Sequence, residues 1–114
     1  MPYIDLKTTA TVTKDKEIAI KAALGEAIAL FPGKSERWLM VNISDECKMF
    51  LAGDNADEIA MVEIDIFGSA NDKSYDLMTR RVCDIISEEL SVKGDKIYVK
   101  YREVDRWGFN GENF

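Results

Sequence analysis

Histidine is missing from the sequence altogether. That absence removes Ser-His-Asp and Cys-His catalysis, His-ligated metals and imidazole pH switches together. Cysteine is almost as scarce. Cys47 and Cys83 are too few and too far apart for a disulfide framework or a Cys-based zinc site. No stretch approaches the ~18 consecutive apolar residues that a membrane helix needs. The opening Met1-Pro2-Tyr3-Ile4-Asp5-Leu6-Lys7 has no basic n-region and a carboxylate inside its apolar run, unlike a signal peptide. With reduced cysteines, the expected compartment is the cytosol; secretion by a leaderless route would leave no mark. Basic residues are in deficit, 15 against 21 acidic, for a net charge of −6. That balance argues against a nucleic-acid partner, an anionic membrane surface or membrane insertion. Nothing in the composition calls for a metal or a cofactor. An enzyme built from this chain needs some other group that titrates near neutrality.

What is present suits one folded domain over residues 1–114, with 46% apolar residues to build its core. Pro2 to Thr9 reads as a strand. Lys14 to Phe31 reads as a helix, with Ile20, Leu24, Ala27, Ile28 and Phe31 at three- and four-residue steps. Pro32-Gly33 stops it. Trp38 to Ile43 is the second strand, whose continuously apolar first half predicts burial on both faces. Met49-Phe50-Leu51 is a candidate short edge strand. Glu58 to Phe67 is a long strand with Val62, Ile64 and Ile66 on one face and Glu63 and Asp65 on the other. Asn71 offers an N-cap for a second helix bearing Tyr75, Met78, Val82, Ile85, Ile86 and Leu90 on one side. Lys96 to Val104 is the last long strand, followed by a glycine- and aromatic-rich tail.

The two halves share a plan. Leu30 precedes Trp38 by eight residues across a glycine, and Leu90 precedes Tyr98 by the same eight. Each helix thus ends at a fixed distance from an aromatic-led strand, as in two copies of a β-α-β unit of about 57 residues. The expected fold class is α/β (α+β): duplicated β-α-β units forming a four-stranded mixed sheet with two helices on one face. The first and second strands are apolar enough to predict that the other face is covered as well, by self-association through the sheet.

Without histidine, a base near pH 7 must be a perturbed carboxylate or lysine, a cysteine or the terminal amine. The sequence favours the amine. A small second residue is the context in which the initiator methionine is removed, and removal of Met1 exposes the secondary amine of Pro2. An α-amine titrates at about 7.7–8.0 unperturbed. Desolvation or a nearby cation lowers that value and frees a neutral base.

Several segments carry a resemblance. Met1-Pro2-Tyr3-Ile4, Gly33-Lys34, Asn71-Asp72-Lys73-Ser74-Tyr75, Asp95-Lys96-Ile97-Tyr98-Val99 and the ending Trp107-Gly108-Phe109-Asn110-Gly111-Glu112-Asn113-Phe114 fall in order along the chain. Together they resemble the macrophage migration inhibitory factor family of the tautomerase superfamily. The resemblance implies a tautomerase fold assembled as a homotrimer, with active sites between subunits. It also implies keto–enol tautomerisation of phenylpyruvate-type 2-keto acids. Pro2 matches the family's catalytic base. Lys34 matches the residue that holds the substrate carboxylate and helps keep the amine neutral. Ile64 falls at the position whose backbone N–H contacts substrate, or Ile66 if the alignment slips by two. Tyr98 matches a tyrosine contributed by the neighbouring subunit, while Tyr3, Trp38, Trp107 and Phe109 fall where the family lines its apolar pocket.

Two departures qualify the match. Lys100 stands where the family commonly has Asn, on the same strand face as Tyr98 and Arg102. If that face meets the neighbour's pocket, Lys100 joins Lys34 beside Pro2 and favours acidic substrates. Residues 54–61 contain no cysteine, so the thiol–disulfide activity that some members link to a Cys-x-x-Cys pair does not carry over. The alternative function that the resemblance implies is a secreted, cytokine-like trimer that binds a host receptor, its pocket vestigial.

Overall fold

Strict alternation along two strands decides which side of the sheet meets the helices. In the computed structural model, which describes residues 1–114, β1 (Pro2–Thr8) buries Pro2, Ile4, Leu6 and Thr8. Likewise β3 (Ala60–Phe67) buries Ala60, Val62, Ile64 and Ile66. Of these, Ile4, Leu6, Ala60, Val62, Ile64 and Ile66 form one cluster with Ile20, Leu24 and Ile28 of the first helical segment and Met78, Val82, Ile85 and Ile86 of the second. Removing each such side chain from water contributes about 1.5–3 kcal/mol. Both helices therefore cover one face.

Local signals set the helix ends. In α1 (Lys14–Ala27) the Thr13 hydroxyl caps the N-terminus by accepting from the Lys16 amide at 3.4 Å. In α2 (Asp72–Leu90) the Asn71 side chain accepts from the Ser74 amide at 2.8 Å, as its sequence position predicts. The first helix stops earlier than the expected Phe31, tightening after Ala27 into a 3₁₀ turn over Ile28–Leu30. Phe31 still reaches the core, edge-on to Tyr75 at 5.3 Å between ring centres.

The sheet order is β2-β1-β3-β4, with β2 covering Met40–Ser44 and β4 covering Ile97–Val104. β1 and β2 are parallel, as are β3 and β4, while β1 and β3 are antiparallel. The sheet is mixed and four-stranded, as expected. β3, α2 and β4 begin 58, 58 and 57 residues after β1, α1 and β2. The duplication is thus a property of the fold.

Its phase differs from the sequence reading. Trp38 does not lead the second strand; it ends a 3₁₀ turn over Glu36–Trp38. The register sets Met40 beside Tyr3 and Tyr98 beside Met61, so Met40 rather than Trp38 is the counterpart of Tyr98. Nor is the second strand buried on both faces. β2 lies at the sheet edge, Met40 is 69% exposed, and only Leu39, Val41 and Ile43 pack on the core. Met49-Phe50-Leu51 forms no strand, only a single bridge between Leu51 and Asp54.

The face away from the helices is charged as well as apolar, with Met40 and Tyr98 exposed on it. Alternation sends Asp5 and Lys7, Glu63 and Asp65, and Lys100 and Arg102 to it, where they pair among themselves. The Arg102 guanidinium meets Asp65 at 2.9 Å and Glu63 at 3.2 Å, and Lys100 meets Glu63 at 3.5 Å. The apolar residues of the first strand point inward, so its hydrophobicity says nothing about a second covered face.

Candidate active site

The two residues that open the chain sit under its last eight. A two-stranded hairpin, β5 (Gly108–Phe109) and β6 (Glu112–Asn113), turns at Asn110-Gly111 with φ of 52° and 81°. Positive φ at both central residues is what a tight type I′ hairpin demands, and Asn-Gly supplies it with least strain. Aromatic contacts hold the hairpin down. Phe109 meets Trp38 edge-to-face at 5.4 Å, and Phe114 meets Phe67 at 5.7 Å. The Phe114 amide donates to the Trp107 carbonyl at 3.0 Å.

The result is a cleft of about 780 Å³ whose walls include Met1, Pro2, Tyr3, Trp38, Trp107 and Phe109. Arg37 and Asp65 are its charged lining residues. Asp65 is held by Arg102 through two nitrogens, at 2.9 and 3.4 Å, so its charge is compensated.

Lys34 lies just behind the walls. Pro32-Gly33 ends the helical segment, with Gly33 at φ 80°, and the Lys34 amide donates to the Phe31 carbonyl at 3.0 Å. That turn aims the side chain across the sheet, and its Nζ donates to the Phe67 carbonyl at 2.8 Å. Phe67 also donates its amide to the Met1 carbonyl at 2.9 Å. A cation is thereby fixed beside the start of β1. Burial, and secondly the charge of Lys34, lower the pKa of the terminal amine from its ordinary 8.0. In this chain that amine belongs to half-exposed Met1; Pro2, the next residue in, is buried.

The structure thus brings together Pro2, Tyr3, Trp38, Trp107 and Phe109, with Lys34 behind them. Three further residues, Ile64 and the pair Tyr98 and Lys100 expected from a neighbouring subunit, lie outside this chain's own cleft. Ile64 is fully buried on the helix side of β3, flanked by β1 and β4, so its backbone is taken up by the sheet. Ile66 lies opposite Pro2, but its side chain is equally buried. The backbone group at the site end of β3 is instead that of Phe67, which sequence reading missed. Its position after the last inward-facing isoleucine was the available signal.

Tyr98 and Lys100 point to the open face, beside Met61 and Glu63 respectively. Those partners lie five and three residues along β3 from Ile66, or about 16 and 10 Å at ~3.3 Å per residue. Neither reaches the cleft of its own chain. Tyr98 is 59% exposed at the opposite end of the sheet. Cys83 is half-buried and its thiol is pushed up by burial, away from thiolate chemistry.

A doubled β-α-β sheet that carries its terminal amine into an aromatic cleft defines a tautomerase-superfamily fold. Residues 1–114 match the macrophage migration inhibitory factor (MIF) family throughout, and the chain belongs to that family. Among solved structures it is similar to MIF2 of Leishmania major, with 27% identity and a TM-score of 0.92 over 100% of this chain and 97% of that one. A MIF homologue from Prochlorococcus marinus superposes with a TM-score of 0.83 at 22% identity, covering 98% of each chain. A more distant likeness, 12% identical with a TM-score of 0.80 over 90% of this chain and 85% of the other, is to a protein inactivated by 2-oxo-3-pentynoate. Comparison with curated proteins gives no match.

Proposed function

We propose that this protein is a keto–enol tautomerase of small 2-keto acids of the phenylpyruvate type. The base is the Pro2 amine, released when Met1 is removed. The observation that carries this reading is that the terminal amine, here that of Met1 beside buried Pro2, has its pKa lowered by burial and by Lys34 at the mouth of an aromatic cleft. Such an amine is neutral over part of the range where an ordinary one is charged, which favours it as a proton acceptor.

The reaction needs one group that moves a proton between two atoms. Neutral Pro2 takes a proton from the carbon next to the carbonyl and then delivers it to the carbonyl oxygen, giving the enol and restoring the neutral amine; the reverse steps return the ketone. No net oxidation occurs. Lys34 attracts the substrate carboxylate and disfavours a charged amine. Removal of Met1 also takes away the carbonyl that Phe67 N–H donates to. That freed donor stands beside the new terminus and can hold the substrate oxygen. Tyr3, Trp38, Trp107 and Phe109 enclose the apolar side group.

Tyr98 and Lys100 join the site from a neighbouring copy in a homotrimer, since neither reaches its own cleft. A fold relative inactivated by 2-oxo-3-pentynoate, itself a 2-keto acid, fits the same substrate chemistry. The test is phenylpyruvate turnover by protein whose intact mass shows Met1 removed, beside Pro2→Gly. A fall of 100-fold or more in kcat/KM is expected. Equal rates would overturn the enzyme reading and leave receptor binding by a secreted trimer as the alternative.

A further inference from the structure

One cation lines the cleft directly, and it is not Lys34. Arg37, in the middle of the 3₁₀ turn over Glu36–Trp38, is among the lining residues, whereas Lys34 has its Nζ committed to the Phe67 carbonyl behind them. The Arg37 guanidinium lies over the Trp38 ring at 5.1 Å from its centre. Trp38 is in turn fixed edge-on by Phe109. The stack gives a flexible side chain a preferred orientation at the cleft wall.

Arg37 forms no ion pair; the salt bridges of the chain all use other cations. The carboxylate that shares the cleft, Asp65, is already held by Arg102 through two nitrogens. The guanidinium therefore keeps its forked donors free for an anion from solution. A planar fork of this kind matches a carboxylate in bidentate geometry.

The cleft has two separate places for negative charge. One is the inner end, where Lys34 and the terminal amine meet. The other is Arg37 on the aromatic wall. A 2-keto monoacid such as phenylpyruvate satisfies the first and leaves the second idle. We infer that Arg37 is a specificity-determining residue that receives a second, distal carboxylate, making aromatic 2-keto dicarboxylates the preferred substrate class. This assignment rests on the tautomerase reading for its chemistry and on the cleft alone for its binding.

Two readouts separate those dependences. Turnover of phenylpyruvate and 4-carboxyphenylpyruvate is compared for the Met1-processed parent, Arg37→Gln and Arg37→Lys. Binding of the unreactive analogues cinnamate and 4-carboxycinnamate is followed by tryptophan fluorescence, which Trp38 reports directly. The parent is expected to favour the diacid about tenfold in each assay, the gain from one charge-assisted pair at 1.4 kcal/mol per decade. Turnover shows it in KM rather than kcat. Arg37→Gln removes the preference and Arg37→Lys keeps part of it. Equal affinity of the parent for both analogues, or an equal loss on both in Arg37→Gln, overturns the assignment. A parent that turns over neither keto acid yet binds the diacid analogue preferentially through Arg37 overturns the tautomerase reading and supports the site.

Discussion

The Nζ of Lys34 donates to the backbone carbonyl of Phe67 at 2.8 Å, tying the turn after the first helical segment to the end of the third strand. This bond fixes a positive charge beside the chain terminus and gives it a structural anchor. Replacing Lys34 therefore touches both chemistry and stability. In Lys34→Ala the amine loses a neighbour that disfavours its charged form, so its pKa rises toward 8.0. The acid limb of the kcat/KM–pH profile is expected to move to higher pH, with the loss largest on the acid side of the parent's midpoint. Thermal denaturation should show a cost of about 1 kcal/mol for the lost hydrogen bond.

The same amine sets the direction of the pH dependence in the parent. With Met1 in place, the terminal amine's folded pKa lies below 8.0, so between the two values the unfolded chain binds more protons than the folded one. Its contribution to stability is then fully present above 8.0 and lost as pH falls through the folded value. Activity follows the same sense, because the unprotonated amine is the base. A kcat/KM that rises with pH through a midpoint below 8 is the profile expected if the Pro2 amine shares that shift; a midpoint at or above 8 would contradict it.

Ile64 separates a packing role from a catalytic one. It is fully buried among Ile4, Val62 and the helix residues of the core. Ile64→Val should cost about 0.5–1.5 kcal/mol in denaturant unfolding. With the fold intact, kcat/KM on phenylpyruvate should stay within twofold of the parent. A selective fall in kcat would return Ile64 to the site.

The contrast between Ile64 and Phe67 shows what the sequence could convey. Period-two alternation identified the inward face of the third strand, and helical spacing identified Ile20, Leu24, Met78 and Val82 as core. Those patterns arise from each element burying one side, so they are written locally. Which end of a strand meets the terminus is decided by register between strands far apart in the chain. For that, Ile64, Ile66 and Phe67 look alike. Trp38 was misplaced for a related reason: an apolar run reads as a strand whether or not its first residues have turned into a 3₁₀ segment. The charged open face was legible in Glu63 and Asp65, yet the apolar composition of the first strand obscured it. Lys34, Pro2 and the tail aromatics were matched as motifs rather than deduced from packing.

Lys100 tests the proposed assembly. Within one chain it pairs with Glu63 at 3.5 Å, some distance from Pro2. If a neighbouring copy presents it to the cleft, Lys100→Asn should raise KM for carboxylate substrates several-fold while leaving turnover. Subunit mixing gives the sharper reading. Refolding Pro2→Gly together with Tyr98→Ala, each nearly inactive alone, should restore activity at about one quarter of the sites. No recovery on mixing would place each site within a single chain.

The hairpin turn offers a test of how the cleft is enclosed. Gly111 sits at φ 81° at the second central position of the Asn-Gly turn, where a Cβ is strained although open space surrounds it. Gly111→Ala should therefore destabilise the hairpin by about 1 kcal/mol without touching any cleft atom directly. The hairpin holds Phe109 against Trp38 and Phe114 against Phe67, and its own two-residue strands contribute little else. Loosening it should weaken the aromatic wall more than the helix-covered core. The expected outcome is a KM for phenylpyruvate raised about three- to fivefold, with a global unfolding midpoint close to that of the parent. Rescue by Gly111→Asn, which tolerates a left-handed backbone better than Ala, would tie the effect to turn geometry. A KM unchanged in Gly111→Ala would mean that the wall stands without the turn, and that Trp38 alone positions the substrate ring.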